Sequence, residues 1–115
     1  MKIGLIVPGF SASEDDWCIP ALLDLVRQLS RVHRVHVFAL RYPHQRGRYS
    51  VYGAQVHAFG GGLASGLGRL PLLTRALTAI VAEARRGAFD VLHGVWADEP
   101  GFLAVSAGRL LDTPA

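Results

Sequence analysis

Lys2-Ile3-Gly4-Leu5-Ile6-Val7-Pro8-Gly9 is the stretch that decides the architecture. The apolar run from Ile3 to Val7 is too short for a helix, has no polar face, and is stopped by Pro8-Gly9. A central strand of a parallel sheet, covered on both sides, reads this way. Ser13 followed by Asp16 resembles a capping box, and Glu14, Asp15 and Asp16 favour a helix N-terminus. Leu22, Leu25, Val26 and Leu29 then recur at helical spacing to about Arg31. Pro20 leaves two forms open: a regular helix that starts there, or an irregular turn from Asp16 that feeds into it.

Working outward, Val35 to Leu40 is the second strand, ended by Tyr42-Pro43. His44 to Ser50 is polar and basic and reads as a loop. Ala54 to Phe59 is the third strand, with Tyr49 to Tyr52 able to form a hairpin arm with it around Gly53. Gly60 to Gly68 holds five glycines in nine residues, which predicts a mobile connection. Pro71 opens a long helix carrying Leu73, Leu77, Ile80, Val81 and Ala84, with Arg85-Arg86 at its C-terminal dipole and Gly87 as the stop. Phe89 to Val95 is the fourth strand. Asp98 caps a third helix with Pro100 in its first turn and Phe102, Leu103, Leu110 and Leu111 available for burial. The chain stops at Thr113-Pro114-Ala115, where a fifth strand is expected. The order of elements predicts an α/β, Rossmann-like, mostly parallel sheet in strand order 3-2-1-4, with helices on both faces.

With 115 residues, 50% hydrophobic and 18% charged, the chain fits one domain, which at this size buries about 65% of its unfolded surface. A net charge of +3 on so apolar a chain excludes general disorder. Cys18 is the only cysteine, so no intrachain disulfide forms and a reducing, cytoplasmic setting is expected. Eleven of the twelve basic residues are Arg, which alone does not imply nucleic acid, and none is expected as a partner. The apolar run at the start is too short for a signal peptide, and nothing approaches a membrane span.

In an open α/β sheet, ligands bind at the carboxyl ends of strands where the strand order reverses. Here that lies between the first and fourth strands, beside Pro8 to Trp17 and Val95 to Glu99. Gly9 either lets an anion approach the helix that follows or simply makes a turn, and three acids nearby repel phosphate. The dinucleotide fingerprint and the P-loop are both absent, so no cofactor is expected. His33 and His36, three apart in or beside a strand, fall on opposite faces. With no H-x-H, H-E-x-x-H or Cys/His cluster, no metal is expected. His93 is either a cleft residue or a core histidine, Trp96 either stacks on a sugar or plugs the core, and Asp98 either caps its helix or meets a substrate. Arg41, Tyr42, His44, Arg46 and Arg48 form a basic, aromatic loop, either solvated or turned to an acidic ligand or an anionic membrane surface.

Lys2 to Gly9, His36-Val37-Phe38-Ala39-Leu40 and above all Phe89-Asp90-Val91-Leu92-His93-Gly94-Val95-Trp96-Ala97-Asp98 resemble the N-terminal domain of glycosyltransferase family 4, retaining enzymes of the GT-B fold. The likeness spans nearly the whole chain. It implies an acceptor-binding half that meets a second Rossmann-like half. The second half holds the nucleotide sugar and the family's carboxylate pair, and lies outside these 115 residues. Sugar transfer from a nucleotide donor to a hydroxyl acceptor, with a sugar or lipid-linked acceptor, is then the complete reaction.

Gly9 and Phe10 would border the cleft, His93 and Trp96 would line it, and Asp98 or Glu99 would bind acceptor hydroxyls. Val95 stands where many relatives carry a second histidine, and Gly9-Phe10 replaces a Gly-Gly. No catalytic residue is assigned to this chain, which alone is expected to be inactive and to self-associate through an open strand edge. The competing class is a stand-alone binding module without chemistry, which a stop codon after Ala115 would favour and a continuing reading frame would not.

Overall fold

A computed structural model describes residues 1–63, 65–95 and 99–115. Among the described residues, five strands and three helices follow one another as β1 (Lys2–Gly9), α1 (Pro20–Leu29), β2 (Arg34–Tyr42), β3 (Gly47–Val51), β4 (Ala54–Ala58), α2 (Arg69–Arg86), β5 (Val91–Gly94) and α3 (Glu99–Leu111). The strands form one sheet in the order β3-β4-β2-β1-β5. β1 is central, parallel to β2 on one side (Leu5 opposite Val37) and to β5 on the other (Leu5 opposite His93). β2 pairs parallel with β4, and β3 pairs antiparallel with β4. The predicted 3-2-1-4 order therefore holds for the parallel strands, with one antiparallel strand added outside.

Alternation along the strands separates two cores. Ile3, Leu5, Val7, Val35, Val37 and Val56 face α1, which contributes Leu22, Leu23 and Val26. Ile6, Phe38, Leu40 and Leu92 face the other way, onto Leu72, Ala76 and Ile80 of α2 and Leu103 and Ala107 of α3. The buried positions of α2 are four residues apart, which sets one stripe against the sheet.

Several expectations are corrected. Ile19 precedes α1 without a side-chain cap. The Ser13 carbonyl and hydroxyl accept the N–H groups of Asp16 and Asp15 in a separate turn, and of the two forms left open the regular helix that starts at Pro20 is the one adopted. Gly47 to Ser50 belongs to β3, whose exposed residues at the sheet edge carry no apolar signal. The β3–β4 turn has Tyr52 and Gly53 both at positive φ, 49° and 85°, as a two-residue hairpin loop matched to strand twist requires.

β4 is consequently internal, and the glycine-rich segment after it does not follow an edge strand. Nor is that segment free: Gly61 and Gly62 donate to the carbonyls of Leu40 and Arg41, and Gly66–Gly68 forms a 3-10 turn. α2 begins two residues before Pro71, and β5 is shorter than Phe89 to Val95. In α3, Leu103 is buried while Phe102 and Leu110 are exposed. The Leu92 N–H donates to the Pro114 carbonyl at 2.8 Å, so the residues after α3 come back alongside β5.

Candidate functional site

The carboxyl ends of β1 and β2 carry a fixed polar frame. The Asp16 carboxylate accepts the Tyr42 hydroxyl at 2.8 Å and the Ala12 N–H at 2.8 Å, tying the turn after β1 to the end of β2. The Tyr49 hydroxyl donates to the Ser11 carbonyl at 2.8 Å, adding β3 to the frame. Ser11 is buried, and its own hydroxyl has no partner among the described residues. A buried, unpaired hydroxyl is costly.

Beside this frame Glu99 opens α3. It is only 6% exposed and accepts from Arg41 Nε at 2.9 Å, Arg41 Nη2 at 2.7 Å and Arg69 Nε at 2.8 Å. Arg41 also donates to the Gly62 carbonyl. The Arg41 fork beside it, and then Arg69, hold the Glu99 carboxyl below its ordinary range against the opposing effect of burial. Gly94 lets this happen: a Cβ there would lie 2.6 Å from the Pro100 carbonyl carbon and 2.8 Å from Gly101 Cα. The first turn of α3 thus sits directly on the end of β5.

The other shifts at this end also run away from neutrality. The Asp16 hydrogen bond raises Tyr42, burial pushes Tyr49 up to about 12, and burial with Asp16 raises Cys18. These tyrosines are hydrogen-bond donors and the thiol stays protonated, which suits holding a hydroxylated ligand better than moving protons.

The sequence-predicted residues are partly assembled here. Gly9 ends β1 in register with Tyr42. Phe10 is 1% exposed, its ring in the core on the α1 side. His93 is exposed on β5, so of its two readings the core histidine does not apply. Both oxygens of Glu99 are engaged by arginines. Trp96 and Asp98 lie outside the described residues.

A second polar cluster, at the amino ends of the strands, escaped the sequence reading. β4 places Gln55 opposite His36, so His57 lies diagonal to His36 on the same face and stacks on Phe38 with ring centroids 4.7 Å apart. His36 Nδ1 is 3.2 Å from His57 Nε2 and 3.7 Å from Glu83 Oε1 of α2. Buried Lys2 donates to Glu83 Oε2 at 2.9 Å and to the carbonyls of Glu83 and Gly87. Burial lowers both imidazoles, His57 to about 4, so at neutral pH one neutral ring donates to the other.

Among the described residues, His36, His57 and Glu83 are the group that could hold a metal ion, their ligand atoms lying within 4.8 Å of one another. A two-histidine, one-carboxylate set suits a divalent transition metal. Glu83, however, is already bonded to Lys2, and the surrounding side chains are cationic. His33 and His36 gave no hint of this set, because its members come from β2, β4 and α2; the available signal was the parallel register between two histidine-bearing strands.

Among the described residues no helix is long and apolar enough to cross a membrane. No family, curated protein or solved structure matches this chain.

Proposed function

We propose that the chain is the acceptor-binding half of a retaining glycosyltransferase of the GT-B kind, with the nucleotide sugar held by a second α/β half. The observation that carries the reading is the parallel placement of β1 between β2 and β5. It brings the loops after β1 and β5 to one end of the sheet with a change of direction between them, where α/β sheets bind ligands. The residue pattern from Phe89 to Asp98 agrees with that assignment. Tyr42 and Asp16 supply polar contacts of the sort a sugar's hydroxyl groups use, and Trp96 would add a stacking face.

Titration of the isotope-labelled chain with oligosaccharide and lipid-linked saccharide acceptors, read by amide chemical shifts, tests the proposal. Shifts gathered in residues 9–17, 41–42 and 93–101, with no turnover of nucleotide sugars by the chain alone, are expected. Shifts elsewhere, or none with any acceptor, overturn it. Turnover by the chain alone removes the need for a second half.

A further inference from the structure

At the end of the sheet opposite the acceptor cleft, a hollow of about 290 Å³ opens between β2, β3, β4 and the end of α2. Arg34 from β2, Arg48 from β3 and Arg86 from α2 line it, with His36 and His57 behind them. Together with Lys2, four cationic side chains face one carboxylate, Glu83. That local excess of three charges is as large as the +3 carried by the whole chain. Excess positive charge is therefore concentrated in one concave place instead of being spread over the surface, and concavity focuses the field.

The pairing inside the hollow points the same way. Lys2 and Glu83 neutralise each other at 2.9 Å, and Lys2 also covers the carbonyls of Glu83 and Gly87, the negative end of the α2 dipole. The features that would repel an anion are thereby satisfied. Arg34, Arg48 and Arg86 carry the remaining charge, and three different elements bring these exposed side chains to one hollow.

We propose that this hollow is a binding site for a phosphate-type oxyanion, with Arg34, Arg48 and Arg86 as its charged contacts and the paired imidazoles as its floor. Guanidinium groups match such an oxyanion through parallel N–H donors, and the volume admits a phosphate or a pyrophosphate group. A metal ion on the two histidines and Glu83 is disfavoured by the same arginines, since a dication would enter a field of three like charges.

The site is tested with the full chain in phosphate-free buffer, titrated with inorganic phosphate and with pyrophosphate and followed by amide chemical shifts. Vesicles of phosphatidylcholine with and without phosphatidic acid form a second arm. Saturable shifts at 34–36, 48, 55–57 and 86 are expected. They should be weakened by about a hundredfold in R48A/R86A, at about tenfold for each lost charged contact, and unchanged in R109A. Flotation with phosphatidic acid vesicles, lost in R48A/R86A and without saturable binding of soluble phosphate, assigns the same chemistry to a lipid headgroup. Absence of binding in both arms overturns the proposal. So does binding indifferent to R48A/R86A, or a zinc complex at His36 and His57 formed in preference to any phosphate complex.

Discussion

Acidification should destabilise this protein well before its carboxylates titrate, and His57 should be the main reason. The ring is 6% exposed and stacked on Phe38, with Arg48 and Arg86 nearby. Its pKa falls from 6.5 to about 4, chiefly through burial and then through the charge of His36. In the unfolded chain the ring binds a proton near pH 6.5, and in the folded chain it resists one. The stability from this residue is therefore complete above pH 6.5 and drains away as pH falls toward 4.

The full shift corresponds to a ceiling of about 3 kcal/mol. Water in the adjoining hollow screens a protonated ring, so about 2 kcal/mol is expected in practice. With a urea dependence of about 1–1.5 kcal/mol per molar, the unfolding midpoint should drop by about 1.5 M between neutral pH and pH near 4.5. His36, shifted the same way by burial while Glu83 opposes, adds to the slope. Glu83, held low by Lys2 against burial, and Glu99, held low by Arg41, lose their contribution as pH falls from the ordinary carboxylate range to below it. The measurement is urea unfolding in phosphate-free buffers across that window, for the natural chain and for His57→Gln. A flat midpoint, or an equal slope in the variant, refutes the reasoning.

Gly94→Ala should destabilise the fold by about 2–3 kcal/mol, because its Cβ meets the backbone of Pro100 and Gly101 and no flexible side chain can yield; thermal unfolding that changes by less than about 0.5 kcal/mol contradicts this. Glu99→Gln should cost about 1–2 kcal/mol through weaker bonds to Arg41 and Arg69, and it should make the acid limb from the carboxylate range downward shallower, which the same urea series reads directly.

The parallel sheet was legible because buried strands announce themselves: Ile3 to Val7 and Val35 to Leu40 are apolar on both faces, and Pro or Gly ends each. β3 was legible only in its second half, as the hairpin arm from Tyr49; Gly47 and Arg48 read as loop, because the start of an edge strand exposed to water carries no apolar signal. The start of α1 at Pro20 was one of two readings, while the capping-box resemblance of Ser13 and Asp16 failed because Asp16 serves Tyr42, a partner 26 residues away, and local patterns carry no trace of such a bond. Phe102 and Leu110 looked like core residues because apolarity fixes neither the rotation of a helix nor its distance from the sheet. At the candidate cleft, the sequence named Pro8 to Trp17 and the Arg41-Tyr42 group as separate segments but not the bonds of Tyr42 to Asp16 and of Arg41 to Glu99, which form only when β2 lies beside β1.

The two ends of the chain leave the molecule at different places, and this governs how it can be handled. Met1 bonds His33 and precedes buried Lys2, so an affinity tag or dye at the amino terminus hangs beside the cationic hollow and would compete for it, above all if acidic. Pro114 lies against β5, so a label fused after Ala115 emerges along that edge and leaves the hollow clear. Immobilisation through the carboxyl terminus is therefore the arrangement that reports faithfully on anion binding, and an amino-terminal tag should be cleaved before any such measurement.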